Sequence, residues 1–103
     1  MNNNIQRIVK MTFQEAHRED FETYFAEIKD KVGNQPGCAG VKLLKDLSNN
    51  GVYFTYSYWK DKDSLNAYRD SELFGAVWPK VKAWFSAKPE AWSTEVFCQS
   101  NNC

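Results

Sequence analysis

The sequence predicts an α+β domain with four antiparallel strands and two helical regions in the order βαββαβ. Three observations lead to this prediction. Segments in which apolar and polar residues alternate, as is typical of strands, fall at 5–13, 39–47, 52–59 and 91–98. Apolar residues recur at helical spacing between the first and second segments, and again between the third and fourth. Ser48-Asn49-Asn50-Gly51 joins the second and third strands as a hairpin turn, because Asn-Gly tolerates the positive φ that such turns need.

The first strand and the first helix are the simplest elements. Strand 5–13 places most of its apolar residues on one side, with Arg7 among them, and only Ile8 on the other. In the helix, acidic residues cluster early and basic residues late, as the helix dipole prefers. The segment 33–37 ends it with two glycines and a proline. The apolar positions of this helix are Phe21, Tyr24, Phe25, Ile28 and Val32.

The third strand, 52–59, is the most informative element because it carries bulky residues on both faces. One face holds Val52, Phe54, Tyr56 and Tyr58, and the other holds Tyr53, Thr55, Ser57 and Trp59. Such a strand must be covered on both sides. The second strand, 39–47, places Val41, Leu43 and Leu47 on one face and Leu44 on the other.

The second helical region is predicted as two helices. Asp61 or Asp63 caps a short one, and Ser71 caps the next. Pro79 lies inside the second helix and predicts a kink or a break there, because it cannot donate to the carbonyl of Gly75. The apolar stripe of the second helix consists of Leu73, Phe74, Val77, Trp78, Val81, Trp84 and Phe85.

Right-handed crossovers turn this order into a ferredoxin-like fold, with a four-stranded antiparallel sheet and the helices on one face. The other sheet face is then uncovered although it carries large apolar residues, which marks it as an interaction surface. We therefore expect a homodimer whose sheets pack face to face. The fourth strand lies at a sheet edge, from which it can reach across to the partner.

Length, charge and cysteine content restrict the class of protein. The 103 residues predict a single domain over residues 1–98, and the polar tail 99–103 is expected to lack fixed structure. The net charge is zero and no basic stripe occurs, which argues against a nucleic-acid partner. No apolar run approaches the ~18 residues of a membrane helix, and the N-terminus does not resemble a secretory signal. Cys38, Cys98 and Cys103 include no CxxC pair, so we expect reduced thiols in a cytoplasmic protein.

Several motifs resemble the antibiotic biosynthesis monooxygenase (ABM) domain family, which belongs to the dimeric α+β barrel superfamily. They are FTYSYWK at 54–60 with the charged turn after it, LNAY at 65–68, SELF at 71–74, and Pro36-Gly37-Cys38 before the second strand. The resemblance spans about residues 6–97. It implies sheets paired in a dimeric α+β barrel and, as function, a cofactor-independent monooxygenase acting on an aromatic or quinol-like small molecule.

The resemblance also supplies candidate substrate-binding residues. Trp59 matches a tryptophan that lines the family's pocket between sheet and helices. It is either a wall against which a planar substrate stacks or a core aromatic. Tyr68, Phe74 and Trp78 are either the opposite wall of a pocket or plain core, and Phe25 on the first helix has the same two interpretations.

Catalytic residues stay unassigned, and neither a metal nor another cofactor is expected. His17, the only histidine, lies among charged residues at the start of the first helix, in a setting typical of a solvated surface. Haem-degrading family members use a helix histidine and an asparagine on strand one. Here the helix position falls at or near Trp78, and residues 5–13 contain no asparagine. No residue is an evident base.

Two functional hypotheses follow. The first is the cofactor-free monooxygenase, which predicts a closed apolar pocket of roughly 300 Å³ or more per subunit, lined by Trp59 and Trp78 with one or two polar groups. The second is a non-catalytic dimeric module that binds a small molecule or serves in assembly. This module predicts that Trp59 and Trp78 fill the space between sheet and helices and leave no cavity.

Overall fold

The computed structural model describes residues 4–101, and the predicted order of elements is confirmed. A short 3-10 helix, Glu15–His17, precedes the first α-helix, and the second helical region consists of two helices as expected. The elements are β1 (Ile5–Thr12), α1 (Arg18–Gly33), β2 (Cys38–Lys45), β3 (Val52–Trp59), α2 (Lys62–Arg69), α3 (Glu72–Lys82) and β4 (Glu90–Thr94).

The four strands form one antiparallel sheet in the order β2-β3-β1-β4. Its helix-covered face carries the odd-numbered residues of β1 and β3: Met11 and Tyr53 pair across the strands and pack with Phe21 of α1. Ile5 and Trp59 also pair, and they pack with Leu65 of α2. All three helices therefore cover one face, which confirms the ferredoxin-like α+β fold.

The two faces of β3 separate as the alternation predicts. On the helix side Tyr53 and Trp59 are each only 1% exposed. The residues of the opposite face are half-buried: Val52, Phe54, Tyr56 and Tyr58. On that face Trp92, Ile8 and Tyr56 lie in one row across β4, β1 and β3. Large apolar groups thus occupy both faces, and the described chain buries only one of them.

Both edge strands differ in length from their predictions. β4 ends at Thr94, which pairs with Gln6, because β1 begins at Ile5 and leaves residues 95–98 without a strand to pair with. β2 ends at Lys45, so Leu47 lies in the hairpin connection and is fully exposed. The assignment of Leu47 to an apolar strand face is therefore wrong.

Both predicted helix caps are observed, and of the kink or break predicted at Pro79 the break does not occur. The Asp61 side chain accepts a hydrogen bond from the Ser64 amide at 2.8 Å, and the Ser71 hydroxyl accepts one from the Phe74 amide at 3.2 Å. α3 continues from Glu72 to Lys82 through Pro79. Val77 and Val81 are buried on either side of the proline, and their packing holds the helix together although one hydrogen bond is missing.

The cysteines follow the prediction only in part. Cys38 is a free, half-buried thiol, as expected, whereas Cys98 is disulfide-bonded, so the prediction of a reduced thiol is wrong there. Cys103 lies outside the described residues, as does the end of the predicted tail. The cytoplasmic location, which relied on reduced thiols, stays a prediction. Across residues 4–101, none of the helices combines the length and apolar character that crossing a membrane requires.

Candidate functional site

A cavity of about 730 Å³ lies between the helix-covered face of the sheet and the helices. β1 and β3 form its floor, α1 and α3 its walls, and α2 and the segment before β4 contribute to its rim. Sites for small molecules commonly have volumes of about 300–1,000 Å³. The space between sheet and helices is therefore not completely filled, and it is large enough for a multi-ring ligand.

Most of the cavity wall is apolar. This follows from the sequence pattern, because the stripes of α1 and α3 and the odd-numbered residues of β1 all point into the same layer. The apolar lining residues are Val9, Met11, Phe21, Phe25, Ile28, Val32, Val41, Leu65, Phe74, Val77, Trp78, Val81, Pro89 and Ala91. The cavity is partly open to solvent and is therefore not the closed pocket that the enzyme hypothesis predicts, but its apolar lining favours a flat, apolar ligand.

A series of aromatic contacts forms one wall. Tyr68 meets Phe74 edge-on at 5.3 Å between ring centroids, and Phe74 stacks on Trp78 at 5.8 Å with an interplanar angle of 9°. Trp78 in turn meets Phe85 edge-on at 5.6 Å. Tyr68, Phe74, Trp78 and Phe25 all line the cavity, so the fold brings four of the five predicted substrate-binding residues together around one space.

Trp59 does not line the cavity, although it lies next to it. Its ring is buried with Ile5 and Leu65, and it stacks on Tyr68 at 5.1 Å. Its indole N–H donates a hydrogen bond of 2.9 Å to the Ser57 hydroxyl oxygen. Tyr68 and Ser57 are both cavity-lining residues. Trp59 therefore supports two groups of the cavity from behind, in the manner of a core residue.

Few polar groups face the cavity, and Tyr68 is the most informative of them. Burial, with smaller contributions from Cys38 and Tyr24, raises the pKa of Tyr68 to about 12. The phenol is therefore protonated near neutral pH and can donate a hydrogen bond. The other polar lining residues are Arg7, Thr55, Ser57, Asn66, Arg69, Asp70 and Glu90.

Sequence reasoning missed the two arginines as site residues. Arg7 belongs to β1 and Arg69 to the last turn of α2, which are far apart in the chain but line the same cavity. Burial, together with the nearby charge of Arg69, lowers the pKa of Arg7 from its ordinary value. One signal was visible in the sequence: Arg7 is the charged residue on the otherwise apolar face of strand one.

His17 lies outside the cavity lining and contributes nothing to it. Its Nδ1 is 2.9 Å from a carboxylate oxygen of Asp20, and its ring stacks on Trp84 at the surface with a centroid distance of 6.0 Å. Within residues 4–101, no group of three or more His, Cys, Asp and Glu side chains is arranged to hold a metal ion.

Comparison with known proteins agrees with this architecture. The sequence model described as antibiotic biosynthesis monooxygenase matches residues 5–80, which is most of the chain. No curated protein matches.

Three solved structures illustrate how well the fold is shared. SnoaB, a cofactor-independent oxygenase from Streptomyces nogalater, superposes with a TM-score of 0.84 at 18% identity, covering 97% of this chain and 99% of that one. A structure described as an antibiotic biosynthesis monooxygenase gives 0.84 at 16% identity, over 91% and 99% of the two chains. A conserved protein from Methanosarcina mazei Go1 gives 0.82 at 18% identity, over 88% and 90%. At these identities the likeness shows the fold.

Proposed function

The chain belongs to the antibiotic biosynthesis monooxygenase family, and from this premise we propose that it is a cofactor-independent monooxygenase acting on an aromatic or quinol-like small molecule. The observation that carries the proposal is the cavity of about 730 Å³ with its aromatic wall. A chain that served only in assembly would gain stability by filling this space, because protein interiors are otherwise close-packed.

The proposed oxidation requires few functional groups from the protein. An electron-rich phenol or quinol, once deprotonated, can pass an electron to O₂ without a cofactor. The protein then has to exclude water, orient the ring and stabilise the anion. In this cavity Phe74 and Trp78 offer a stacking surface, and the protonated Tyr68 offers a hydrogen bond to an anionic oxygen. These roles for Phe25, Tyr68, Phe74 and Trp78 are part of the proposal.

Oxygen consumption with a panel of quinols and polycyclic phenols tests the activity. We expect turnover of at least one compound by the wild type, and a loss of about tenfold or more in kcat/KM for Trp78→Ala, because the variant removes a stacking surface. The matched control is Trp84→Ala, a partly buried tryptophan outside the cavity lining, which should retain kcat/KM.

Binding and turnover separate the enzyme from the non-catalytic module. Compounds that quench the fluorescence of the wild type but not of Trp78→Ala, without any consumption of oxygen across the panel, would favour the binding module. If no compound binds and none is turned over, both the enzyme and the small-molecule-binding module are contradicted, and only the assembly role is left.

We also propose that the chain forms a homodimer through the open sheet face. Support comes from the large apolar residues on that face and from two side chains that are well exposed, Trp92 at 44% and Leu44 at 40%. Sheets that pack face to face bury such residues at a spacing of about 10 Å.

Sedimentation equilibrium tests the dimer. The wild type should sediment as a dimer and Tyr56→Glu as a monomer, because the variant places a charge in the middle of the face. Ala67→Glu, on the exposed side of α2, is the control and should remain dimeric. A monomeric wild type would contradict the proposal.

A further inference from the structure

A polar row crosses the floor of the otherwise apolar cavity. Arg7 of β1 pairs with Ser57 of β3 on one side and with Ser93 of β4 on the other. The guanidinium Nη1 of Arg7 donates a hydrogen bond of 3.0 Å to the Ser93 hydroxyl. This contact fixes the guanidinium against the floor. Because the group carries five N–H donors, most of its hydrogen-bonding capacity is left for a ligand.

A second guanidinium, that of the exposed Arg69, belongs to the same cavity lining. Arg69 at the end of α2 lines the same space, and it is close enough that its positive charge contributes to the lowered pKa of Arg7. Placing a second positive charge near a partly buried guanidinium is unfavourable, although solvent screens the exposed Arg69. Costly charge arrangements of this kind cluster at functional sites.

In the described part of the chain, no carboxylate pairs directly with either charge. Within residues 4–101, neither Arg7 nor Arg69 forms a salt bridge. Two acidic residues lie at the cavity. Glu90 pairs with Lys10 across the strands, with their charged atoms 3.8 Å apart, in a row that belongs to the opposite face of the sheet from Arg7. Asp70 is exposed beyond the end of α2.

We propose that Arg7 and Arg69 form an anion-binding pair that holds an ionised oxygen group, a carboxylate or a phenolate, of the aromatic ligand in the cavity. The proposal rests on the proposed function of the cavity as a binding site and goes beyond it by naming the chemical class of ligand. The rings would lie against Phe74 and Trp78, with the anionic oxygen at the arginines.

The chemistry of the two groups fits this role. A guanidinium presents its donors as a planar fork that matches a carboxylate, and it is more weakly hydrated than an ammonium group. Two such charges favour the ionised form of a bound phenol and so lower its pKa. The protonated Tyr68 hydroxyl adds a neutral donor, and the Ser57 hydroxyl, which already accepts from Trp59, is free to donate its own hydrogen. A phenol held in this way needs no strong base from the protein in order to ionise.

Calorimetric titration with matched naphthalene probes tests the carboxylate form of the ligand. At neutral pH we expect 2-naphthoate to bind the wild type about tenfold or more tightly than 2-naphthamide, its neutral counterpart. Arg7→Gln and Arg69→Gln should each reduce this preference, because the loss of a charge weakens the binding of 2-naphthoate more than that of 2-naphthamide. Lys29→Gln, an exposed cation of α1 outside the cavity lining, is the charge-matched control and should retain it.

An absorbance titration of 2-naphthol tests the phenolate form. The pKa of the bound naphthol should lie about one unit or more below that of the free compound, and the arginine variants should restore the free value. A response to either probe supports the pair and identifies the oxygen group that it prefers. Arg7→Lys retains the charge without the planar fork of donors, so it should keep part of the preference for 2-naphthoate over 2-naphthamide. Thermal melting monitors the folding of every variant.

The result that overturns the proposal differs from the failure of the cavity itself. Equal binding of 2-naphthoate and 2-naphthamide by the wild type, lost in Trp78→Ala, together with an unshifted naphthol pKa, would reject the arginine pair and leave the binding cavity in place. Absence of binding by every probe would reject both.

Discussion

Trp59 and Trp78 belong to the same aromatic segment of the chain, yet they have different surroundings. Trp59 ends β3 where β1 and α2 meet it, and its ring is 1% exposed among Ile5 and Leu65. Trp78 lies on α3 with one side against Phe74 and another toward the cavity. One end of the layer between sheet and helices is therefore filled, and the neighbouring part is open.

The difference shows that the filled end supports the open one. Trp59 stacks on Tyr68 and donates to Ser57, and both of these residues face the cavity. A residue type that sequence reasoning placed in the pocket wall thus acts one layer behind it. Replacing either tryptophan should disturb ligand binding, but only replacement of Trp59 should do so through the fold.

The largest expected effect is on stability. Trp59→Ala should lower the free energy of unfolding by about 3–5 kcal/mol, because it removes a fully buried ring and leaves a cavity. Trp78→Ala should cost about 1–2 kcal/mol, because its ring is only partly buried and already borders empty space. Urea unfolding at one fixed protein concentration measures both values. Equal losses would contradict the division into a filled and an open region.

Enlarging side chains tests the same comparison with the opposite change in volume. Val77→Phe adds volume next to the cavity, so it should cost about 1 kcal/mol or less and weaken the binding of an aromatic ligand about tenfold or more. Ile5→Phe adds volume beside Trp59 and should cost about 1–3 kcal/mol, because the side chain of Ile5 packs against the buried Trp59 and Leu65. Thermal melting and fluorescence titration of the two variants supply the values. A costlier Val77→Phe than Ile5→Phe would show that the cavity is not available.

Two tyrosines extend the comparison to alkaline pH. The pKa of Tyr53, in the filled region, and that of Tyr68, at the cavity, are each raised from 10.0 to about 12, with burial as the main cause. A raised folded-state pKa gives a contribution to stability that is fully present below pH 10 and is lost as pH rises through 12. The free energy of unfolding should therefore fall over this interval, and it should fall less steeply in Tyr53→Phe and in Tyr68→Phe.

At neutral pH the same two variants should differ by a smaller amount. The Tyr53 hydroxyl donates to the Glu22 carboxylate, whereas none of the described side chains hydrogen-bonds the Tyr68 hydroxyl. Tyr53→Phe should cost about 1 kcal/mol and Tyr68→Phe close to nothing. Unfolding curves of the two variants at pH 7 and at pH 11 check both statements, and identical costs at pH 7 would contradict them.

Local patterns in the sequence predicted most of the fold. Strict alternation placed Tyr53 and Trp59 on the same face of β3. Side-chain chemistry alone identified Ser71, and either Asp61 or Asp63, as helix caps. Features that depend on neighbouring elements were not predictable in this way. The end of β4 is set by the start of β1, and the continuity of α3 through Pro79 is held by tertiary packing.

The candidate site depends even more on how the elements pack, which local sequence patterns do not predict. A stripe at helical spacing identifies Phe74 and Trp78 as inward-facing, but it does not tell whether the space that they face is filled. The arginine pair was missed because Arg7 and Arg69 line the same cavity only once α2 has packed against the sheet. Spacing in the sequence gives no sign of that arrangement, whereas an arginine on an apolar strand face is a local signal that is visible without a structure.

The most direct test of a filled and an open region is ¹⁹F NMR of protein labelled with 5-fluorotryptophan, titrated with an aromatic ligand such as 2-naphthamide. The chain has four tryptophans, and Trp59→Phe and Trp78→Phe assign the two resonances of interest. We predict that the Trp78 resonance shifts on binding, while that of Trp59 moves little or not at all. A shift of the Trp59 resonance with that of Trp78 unchanged would contradict the assignment of Trp78 to the cavity wall and of Trp59 to the core behind it.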